Sequence, residues 1–334
     1  MSTKSVRSHA VLMRQYGPPA VLSYGEIDLP ELRPNEVRIR SIASAINHTD
    51  LEIRAGNWPL QKPNPFPYVP GVEVVGEVEE AGATVREVRQ GNLVITMMQG
   101  LGGVRAERPG GYAQHVIVSA SVVAQLPSGS DPYGMAAIGL AGVTAYEGLR
   151  KIGSLKGKRI VVTGAAGGIG SAATAIARAQ GASVIGVVSR VEQVDYVRSL
   201  GAGEVVVSSK GDIGSVLTSG SVDGVLDAVG GNLFGPCVAA LVSGGVLSLI
   251  GAVGGSQVSF DAYELTRPVT LTGYSSENLT GGDLRSAIAD LGTWLSDGSI
   301  KPPAYRAMPL SEAAQAHALL EQGSVTGRVL LVPS

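Results

Sequence analysis

The sequence predicts an α/β protein: a mainly β first part, then a doubly wound parallel sheet with helices between its strands. Short strand-like runs punctuated by turns fill the chain up to about residue 128. From about 129 strand and helix patterns alternate, the rhythm of a parallel sheet. Within that second part the glycine-rich stretch TGAAGGIG (163–170) joins an apolar run to a small-residue helix, the form of a phosphate-binding βα turn.

In the first part the strand-like runs are EVRIRSIASAI (36–46), VEVVGEVEEAG (72–82), GNLVITM (91–97) and YAQHVIVS (112–119). Val37, Ile39, Ser41 and Ala43 alternate with Arg38, Arg40 and Ile42, roughly the period of a half-buried strand. Five prolines between Pro59 and Pro70 preclude regular ladder pairing and predict an extended surface loop. The stretch INHTDLEIRAG (46–56) reads as an irregular loop rich in polar side chains.

In the second part the candidate strands are RIVVTG (159–164), SVIGVV (183–188), EVVVSS (204–209), GVLDAV (224–229), VLSLIGA (246–252) and VTLTGY (269–274). Helical patterns occupy 170–181 and 191–201, each closed by glycine as a C-terminal stop. A last helix over 311–323 opens with Ser311 as N-cap, ahead of the strand RVLLV.

Composition narrows the function. With 334 residues the chain holds one large or two ordinary domains. The formal charge of -2 and pI near 6.1 imply no basic face for nucleic acid. A single cysteine, Cys237, forms no internal disulfide and supplies no cysteine zinc site. That usage, with no signal-like segment and no apolar run of ~18 residues, points to a reducing, cytoplasmic setting without a membrane span. Glycine makes up 46 of 334 residues, nearly double the usual ~7%, which suits close backbone packing and ligand-hugging turns.

The turn predicts a nucleotide. Gly167 and Gly168 let the backbone approach a pyrophosphate, Gly170 lets the helix pack on the sheet, and the helix N-terminus offers free N–H groups. The other reading is a tight βα turn without a ligand. The second strand ends in Val188, Ser189 and Arg190, with no acid for the ribose hydroxyls. A hydroxyl and a guanidinium suit a 2′-phosphate, so we expect NADP(H) rather than NAD; the alternative for Arg190 is a solvated loop residue.

TGAAGGIG also resembles the cofactor turn of short-chain dehydrogenases, which carry it near the N-terminus beside a Tyr-x-x-x-Lys pair. Here the turn lies after residue 160, and none of the ten tyrosines has lysine four positions on. The nearest approaches are Tyr146 with Arg150 and Tyr263 with Arg267. The chain instead resembles the zinc-independent, quinone oxidoreductase-like branch of the medium-chain dehydrogenase/reductase superfamily. NHTDLEIRAG (47–56), VPGVEVVGEVEEAG (69–82), GGYAQHVIV (110–118), GLAGVTAYEGL (139–149), VTGAAGGIG (162–170), LDAVGG (226–231) and TGRVLLV (326–332) carry the resemblance in order. It implies a GroES-like catalytic domain over 1–128, a Rossmann domain over 129–274 and a return to the catalytic domain over 275–334, with the cofactor in the cleft between them.

Zinc-dependent members of the superfamily have ligands at three places that this chain fills with Asn47, Val72 and Leu140. Valine and leucine do not ligate, and a catalytic zinc needs about three protein ligands, so no metal is expected. His48, Asp50 and Glu52 in a loop have no convergent geometry, and His9, His115 and His317 are scattered singly.

Without a Lewis acid, oxidation of an unactivated alcohol is difficult, whereas reduction of a quinone or an electron-poor C=C needs only donors for the developing oxyanion. By resemblance Asn47 lies near the nicotinamide and the substrate carbonyl, and its amide has donors to offer. The branch often has tyrosines five and eleven positions beyond it; here Glu52 and Trp58 stand there. Trp58 offers a stacking wall and Glu52 a pocket acid, a solvated glutamate being the plainer reading of the latter. Asp50 and Arg54 read as loop-holding residues. The resemblance puts Thr144 beside the cofactor with Ala165, Ala166, Gly167, Gly168, Ile169 and Gly170 of the turn, and Gly230 and Gly251 after the fourth and fifth strands. Arg267 and Arg328 resemble basic residues near cofactor or substrate in this branch; we group Arg267 with the catalytic residues and Arg328 with the cofactor, a surface cation being the alternative for each.

The expected activity is therefore NADPH-dependent reduction of quinones or α,β-unsaturated carbonyls by a homodimer paired through the edge strand VTLTGY, or a homotetramer. An enoyl-thioester reductase and a non-enzymatic, crystallin-like NADPH-binding protein are the alternatives.

Overall fold

The computed structural model of the chain describes residues 6–98, 101, 103–208, 213, 216–325 and 327–333. Ser209 of the expected third strand and Thr326 of TGRVLLV lie outside them. The chain divides into two compact units, one of residues 1–140, 276–296 and 302–334, the other of residues 141–275 and 297–301.

The first unit opens with an antiparallel pair, β1 (Val6–Met13) and β2 (Leu22–Leu29). There follow β3 (Glu36–Ala45), α1 (His48–Ala55), β4 (Glu73–Ala81), β5 (Leu93–Met97), β6 (His115–Ser119) and β7 (Val123–Gln125). Strand β3 is the hub, pairing antiparallel with β4 and with β6. Val37, Ile39, Ala43 and Ala45 face inward, whereas the half-buried Arg38 and the exposed Arg40 meet Glu79 and Glu77 of β4 at 2.6 and 2.8 Å.

Residues 46–56 are not the irregular loop that their polarity suggests. Asn47 stands as N-cap in extended backbone (φ -110°, ψ 161°) and Gly56 ends the helix in the left-handed region (φ 86°). Asp50, at the third helical position, accepts the Asn47 backbone N–H at 2.9 Å, so caps at both ends define α1 despite its weak apolar periodicity.

The helical segment α2 (Pro132–Arg150) is broken at Gly139, whose backbone (φ 19°, ψ -127°) leaves the helix. The second unit then runs β8 (Arg159–Thr163), α3 (Gly168–Ala179), β9 (Ser183–Val188), α4 (Val194–Ser199), β10 (Glu204–Val207), β11 (Val222–Asp227), α5 (Phe234–Ala240), β12 (Leu241–Leu249) and β13 (Thr270–Gly273). Its strands form one parallel sheet in the order β10-β9-β8-β11-β12-β13. Direction of winding reverses between β8 and β11, the topological switch point of a Rossmann sheet. Val161, Ile185, Val225 and Leu247 are buried in its core.

The chain returns to the first unit with α6 (Gly281–Ser296), β14 (Tyr305–Pro309), α7 (Ala313–Glu321) and β15 (Arg328–Val332). Ser311 is not the cap of α7. The chain enters through a 3-10 turn, Leu310–Glu312, and Glu312 occupies the N-cap. β15 adds antiparallel to β3, with Leu331 opposite Ser44, completing the sheet order β14-β15-β3-β4-β5-β7. The chain thus holds a GroES-like, β-rich unit and a Rossmann unit. Among the described residues no helix is long and apolar enough to cross a membrane.

Candidate active site

Where β3 ends and α1 begins, the first unit gathers charges that its core would otherwise exclude. The Asn47 side chain turns away from its helix. Its Nδ2 donates to Glu73 Oε1 at 2.7 Å and to the Ala45 carbonyl at 3.2 Å, and its Oδ1 accepts from Arg328 Nη2 at 2.8 Å. Acceptors lie on one side of the amide and a pure donor on the other, so the network dictates which end is nitrogen. Both N–H groups are in use, and the free capacity of the amide is one lone pair on Oδ1.

Glu73 is the centre of this cluster and is 1% exposed. Oε1 also faces Arg328 Nη2 at 3.3 Å, and Oε2 accepts the backbone N–H of Leu140 at 2.6 Å. That N–H is available because the helix breaks at Gly139, where a Cβ would collide with Oε2. Burial pushes the Glu73 carboxyl above its ordinary range, opposed by Arg328, Asn47 and the Leu140 N–H.

Asp50 is a second buried carboxyl. It accepts from the Asn47 and Val72 backbone N–H groups, at 2.9 and 3.0 Å. Burial raises it to about 7, with Glu73 adding to the rise and the backbone N–H groups opposing it. Two buried carboxyls thus lie near one another, and the Arg328 guanidinium pairs with Glu73.

His48 and Glu52 lie on the outer face of α1. Glu52 Oε2 accepts from Asn57 Nδ2 at 3.0 Å, and its Oε1 lies 3.5 Å from His48 Nε2. His48 and Glu52 therefore share a face, one helical turn apart. Trp58 is 44% exposed, with the His48 ring edge-on at 6.1 Å. Arg54 is buried and pairs with Glu321, not with Asp50. The structure brings Asn47 and Arg328 together and places Glu52 and Trp58 outside their hydrogen-bond network. Sequence reasoning missed Glu73. Its one local signal was a lone acid at the head of an apolar run, in Gly71-Val72-Glu73. Among the described residues no group of three or more His, Cys, Asp or Glu side chains is placed to hold a metal ion.

In the second unit the glycine turn follows β8. Gly164 is left-handed (φ 60°) and its carbonyl accepts the Gly167 N–H at 2.9 Å. A Cβ at Gly170 would collide with that same carbonyl, so glycine permits the crossing. Gly167 caps α3 without a side-chain hydrogen bond, leaving the first N–H groups of the helix for a ligand. Ala165 is buried within the turn, and Ala166, Gly168 and Ile169 complete it.

Asp227, at the end of β11, accepts from Thr163 Oγ1 at 2.5 Å and from the Val229 and Gly230 N–H groups at 3.0 Å each. It clamps the carboxyl ends of β8 and β11 at the switch point. Gly230 is left-handed (φ 66°), and a Cβ on Gly251 would come 2.9 Å from the Ala228 carbonyl. At the end of β9, Ser189 and Arg190 are exposed, and the Arg190 guanidinium makes no ion pair among the described residues. Thr144 is buried in α2. Arg267 sits elsewhere. It donates to the Leu241 carbonyl at 2.5 Å and pairs with Glu264, at the amino ends of β12 and β13, the opposite end of the sheet from the glycine turn.

Comparison with known proteins matches two family descriptions: an alcohol dehydrogenase GroES-like domain over residues 33–128, and a zinc-binding dehydrogenase domain over 200–331. The chain is 29% identical over 323 residues to the chloroplastic NADPH-dependent alkenal/one oxidoreductase of Arabidopsis thaliana, covering 95% of this chain and 78% of that one. It is 27% identical to the quinone oxidoreductase of Sus scrofa, over 99% of this chain and 100% of the relative. The solved structure of the Escherichia coli quinone oxidoreductase complexed with NADPH superposes with a TM-score of 0.84 at 25% identity, covering 97% and 100% of the two chains.

Proposed function

We propose that this chain, which belongs to the quinone oxidoreductase-like branch of the medium-chain dehydrogenase/reductase superfamily, is an NADPH-dependent reductase of quinones and of activated C=C bonds in α,β-unsaturated carbonyl compounds. One observation carries the reading: where zinc-dependent members place a ligand, the chain has a carboxamide fixed between a buried carboxyl and a buried guanidinium.

The second unit fits the dinucleotide. Gly167, Gly168 and Gly170 would hold the pyrophosphate against the N-terminus of α3, and Ser189 and Arg190 would take the 2′-phosphate. When bound, the reduced nicotinamide supplies the hydride. The chain's own residues deal with the oxygen. As the β-carbon gains hydride, negative charge grows on the carbonyl oxygen. Asn47 turns its longer N–H bond, the 3.2 Å one to Ala45, toward that oxygen, and Arg328 behind Oδ1 polarises the amide. Glu73 holds the other N–H, so the amide pivots without losing its orientation. Water protonates the α-carbon. Asn47 and Arg328 are the residues we place at the reacting carbonyl, and Thr144 stays with the cofactor-binding residues.

NADPH oxidation against a panel of quinones, enones and enoyl thioesters tests the reading. Turnover of quinones or free enones, reduced tenfold or more in Asn47→Ala, is the expected result. Tight NADPH binding with no turnover of any acceptor would overturn it. We further infer a homodimer through the outer edge of β13, which is the last strand of its sheet; light scattering at a monomer mass would remove that part.

A further inference from the structure

Arg328 is deeply buried, yet most of its guanidinium is idle. The residue is 8% exposed, and Nη2 alone is engaged, donating to Asn47 Oδ1 at 2.8 Å and facing Glu73 Oε1 at 3.3 Å. Among the described residues Nε is buried without a partner and Nη1 makes no hydrogen bond. A guanidinium always carries its charge and has no acceptor. The idle nitrogens are therefore donors and nothing else.

The acids of the cluster leave those donors unanswered. Glu73 makes its shorter bonds elsewhere, Oε1 to the Asn47 amide at 2.7 Å and Oε2 to the Leu140 N–H at 2.6 Å. Asp50 engages its oxygens with the Asn47 and Val72 backbone N–H groups. Unmatched donors are disfavoured in a protein interior, those of an ion most of all. Among the polar side chains of the cluster Asn47 and Arg328 keep the residual exposure, 8% each against 1% for Glu73 and for Asp50. A small molecule that meets the amide thus meets the guanidinium bonded to it.

We propose that the natural acceptor carries a carboxylate near its reacting carbonyl, and that the idle donors of Arg328 bind this carboxylate while Asn47 serves the carbonyl oxygen. The proposal rests on the proposed function and narrows its substrate class to unsaturated oxo acids. A cation with several free donors favours an oxygen anion over the neutral oxygen of a simple enone or quinone. In (E)-4-oxopent-2-enoate, hydride from the reduced nicotinamide adds to C2. The C2=C3 π bond breaks, its electrons form C3=C4, and the C4 oxygen takes the negative charge. C3 then gains a proton from water, giving 4-oxopentanoate and oxidised cofactor. The carboxylate is unchanged throughout, so toward it Arg328 is a binding residue.

Comparing this acid with its methyl ester tests the proposal in the wild type. The ester is the more electron-poor alkene, so intrinsic reactivity favours it. The acid should nonetheless show a KM about tenfold or more below that of the ester. Calorimetric titration of protein saturated with NADP+ should give 4-oxopentanoate a similar margin over methyl 4-oxopentanoate. In Glu73→Gln with Arg328→Met, which removes the ion pair as a unit, both margins should vanish. Equal KM and equal binding for acid and ester, with the ester turned over, would overturn the proposal and leave the proposed function standing. Margins that persist in the folded double variant would overturn it too. No turnover of acid, ester or any neutral enone would remove the function and the proposal together.

Discussion

The amide nitrogen of Asn47 lies 2.7 Å from Glu73 Oε1, and the Asn47 oxygen lies 2.8 Å from Arg328 Nη2. One acid and one base thereby grip opposite ends of a neutral side chain. Glu73→Gln keeps the shape and removes the charge, leaving Arg328 buried without its carboxylate. We expect a loss of about 3–5 kcal/mol in urea unfolding. The double variant Glu73→Gln with Arg328→Met should lose less than the sum of the two single variants.

Asp50 sets a pH dependence of stability. Its carboxyl keeps its proton up to about 7 in the folded chain, against ~3.9 when unfolded. Below pH ~4 both states are protonated and Asp50 favours neither. As pH rises from there the unfolded chain releases the proton first and stability falls, until the loss is complete above about 7. The full effect is on the order of 4 kcal/mol. Asp50→Asn should flatten this part of the profile, so unfolding at pH 5 and pH 8 in both proteins checks it. Parallel profiles would count against the assignment.

At Gly139 the prediction is steric. A methyl group there meets Glu73 Oε2, so Gly139→Ala must displace the carboxylate from the Leu140 N–H. A fall of about 1–3 kcal/mol in stability, with a larger fractional fall in turnover than for an alanine elsewhere in α2, is the expected outcome.

Arg190→Ala should raise the KM for NADPH about 10- to 100-fold, the contribution of one or two charge-assisted hydrogen bonds, and leave the KM for NADH nearly unchanged. Equal effects on both would remove the 2′-phosphate from Arg190.

Prolonged treatment with a strong chelator should leave turnover unaltered, and metal analysis of the purified protein should find far less zinc than protein. The reason is chemical: Val72 and Leu140 have no atom that binds a metal, and the Asn47 amide is already engaged.

How much of this was legible in the sequence depended on how local each cause is. Parallel strands such as Ser183–Val188 are buried on both faces, so they appear as unbroken apolar runs. The turn before α3 is legible because Gly167 and Gly170 are dictated within a few residues. Helix α1 was not, because its determinants are caps rather than a stripe. Glu73 was hidden for a different reason. An acid in an alternating strand reads as a solvent-facing position, and what draws this one inward lies 67 residues away at Leu140 and 255 away at Arg328.

Arg328 reaches Asn47 across 281 positions of sequence, and this has a consequence for synthesis. Asn47 and Glu73 leave the ribosome long before the arginine exists, so Glu73 begins as an acid with no cation to bury against. A nascent chain can assemble its parallel sheet while the cluster around Asn47 stays unbuilt. The last strand acts as a checksum: a chain stopped short of it leaves Asn47 and Glu73 without the guanidinium that holds them.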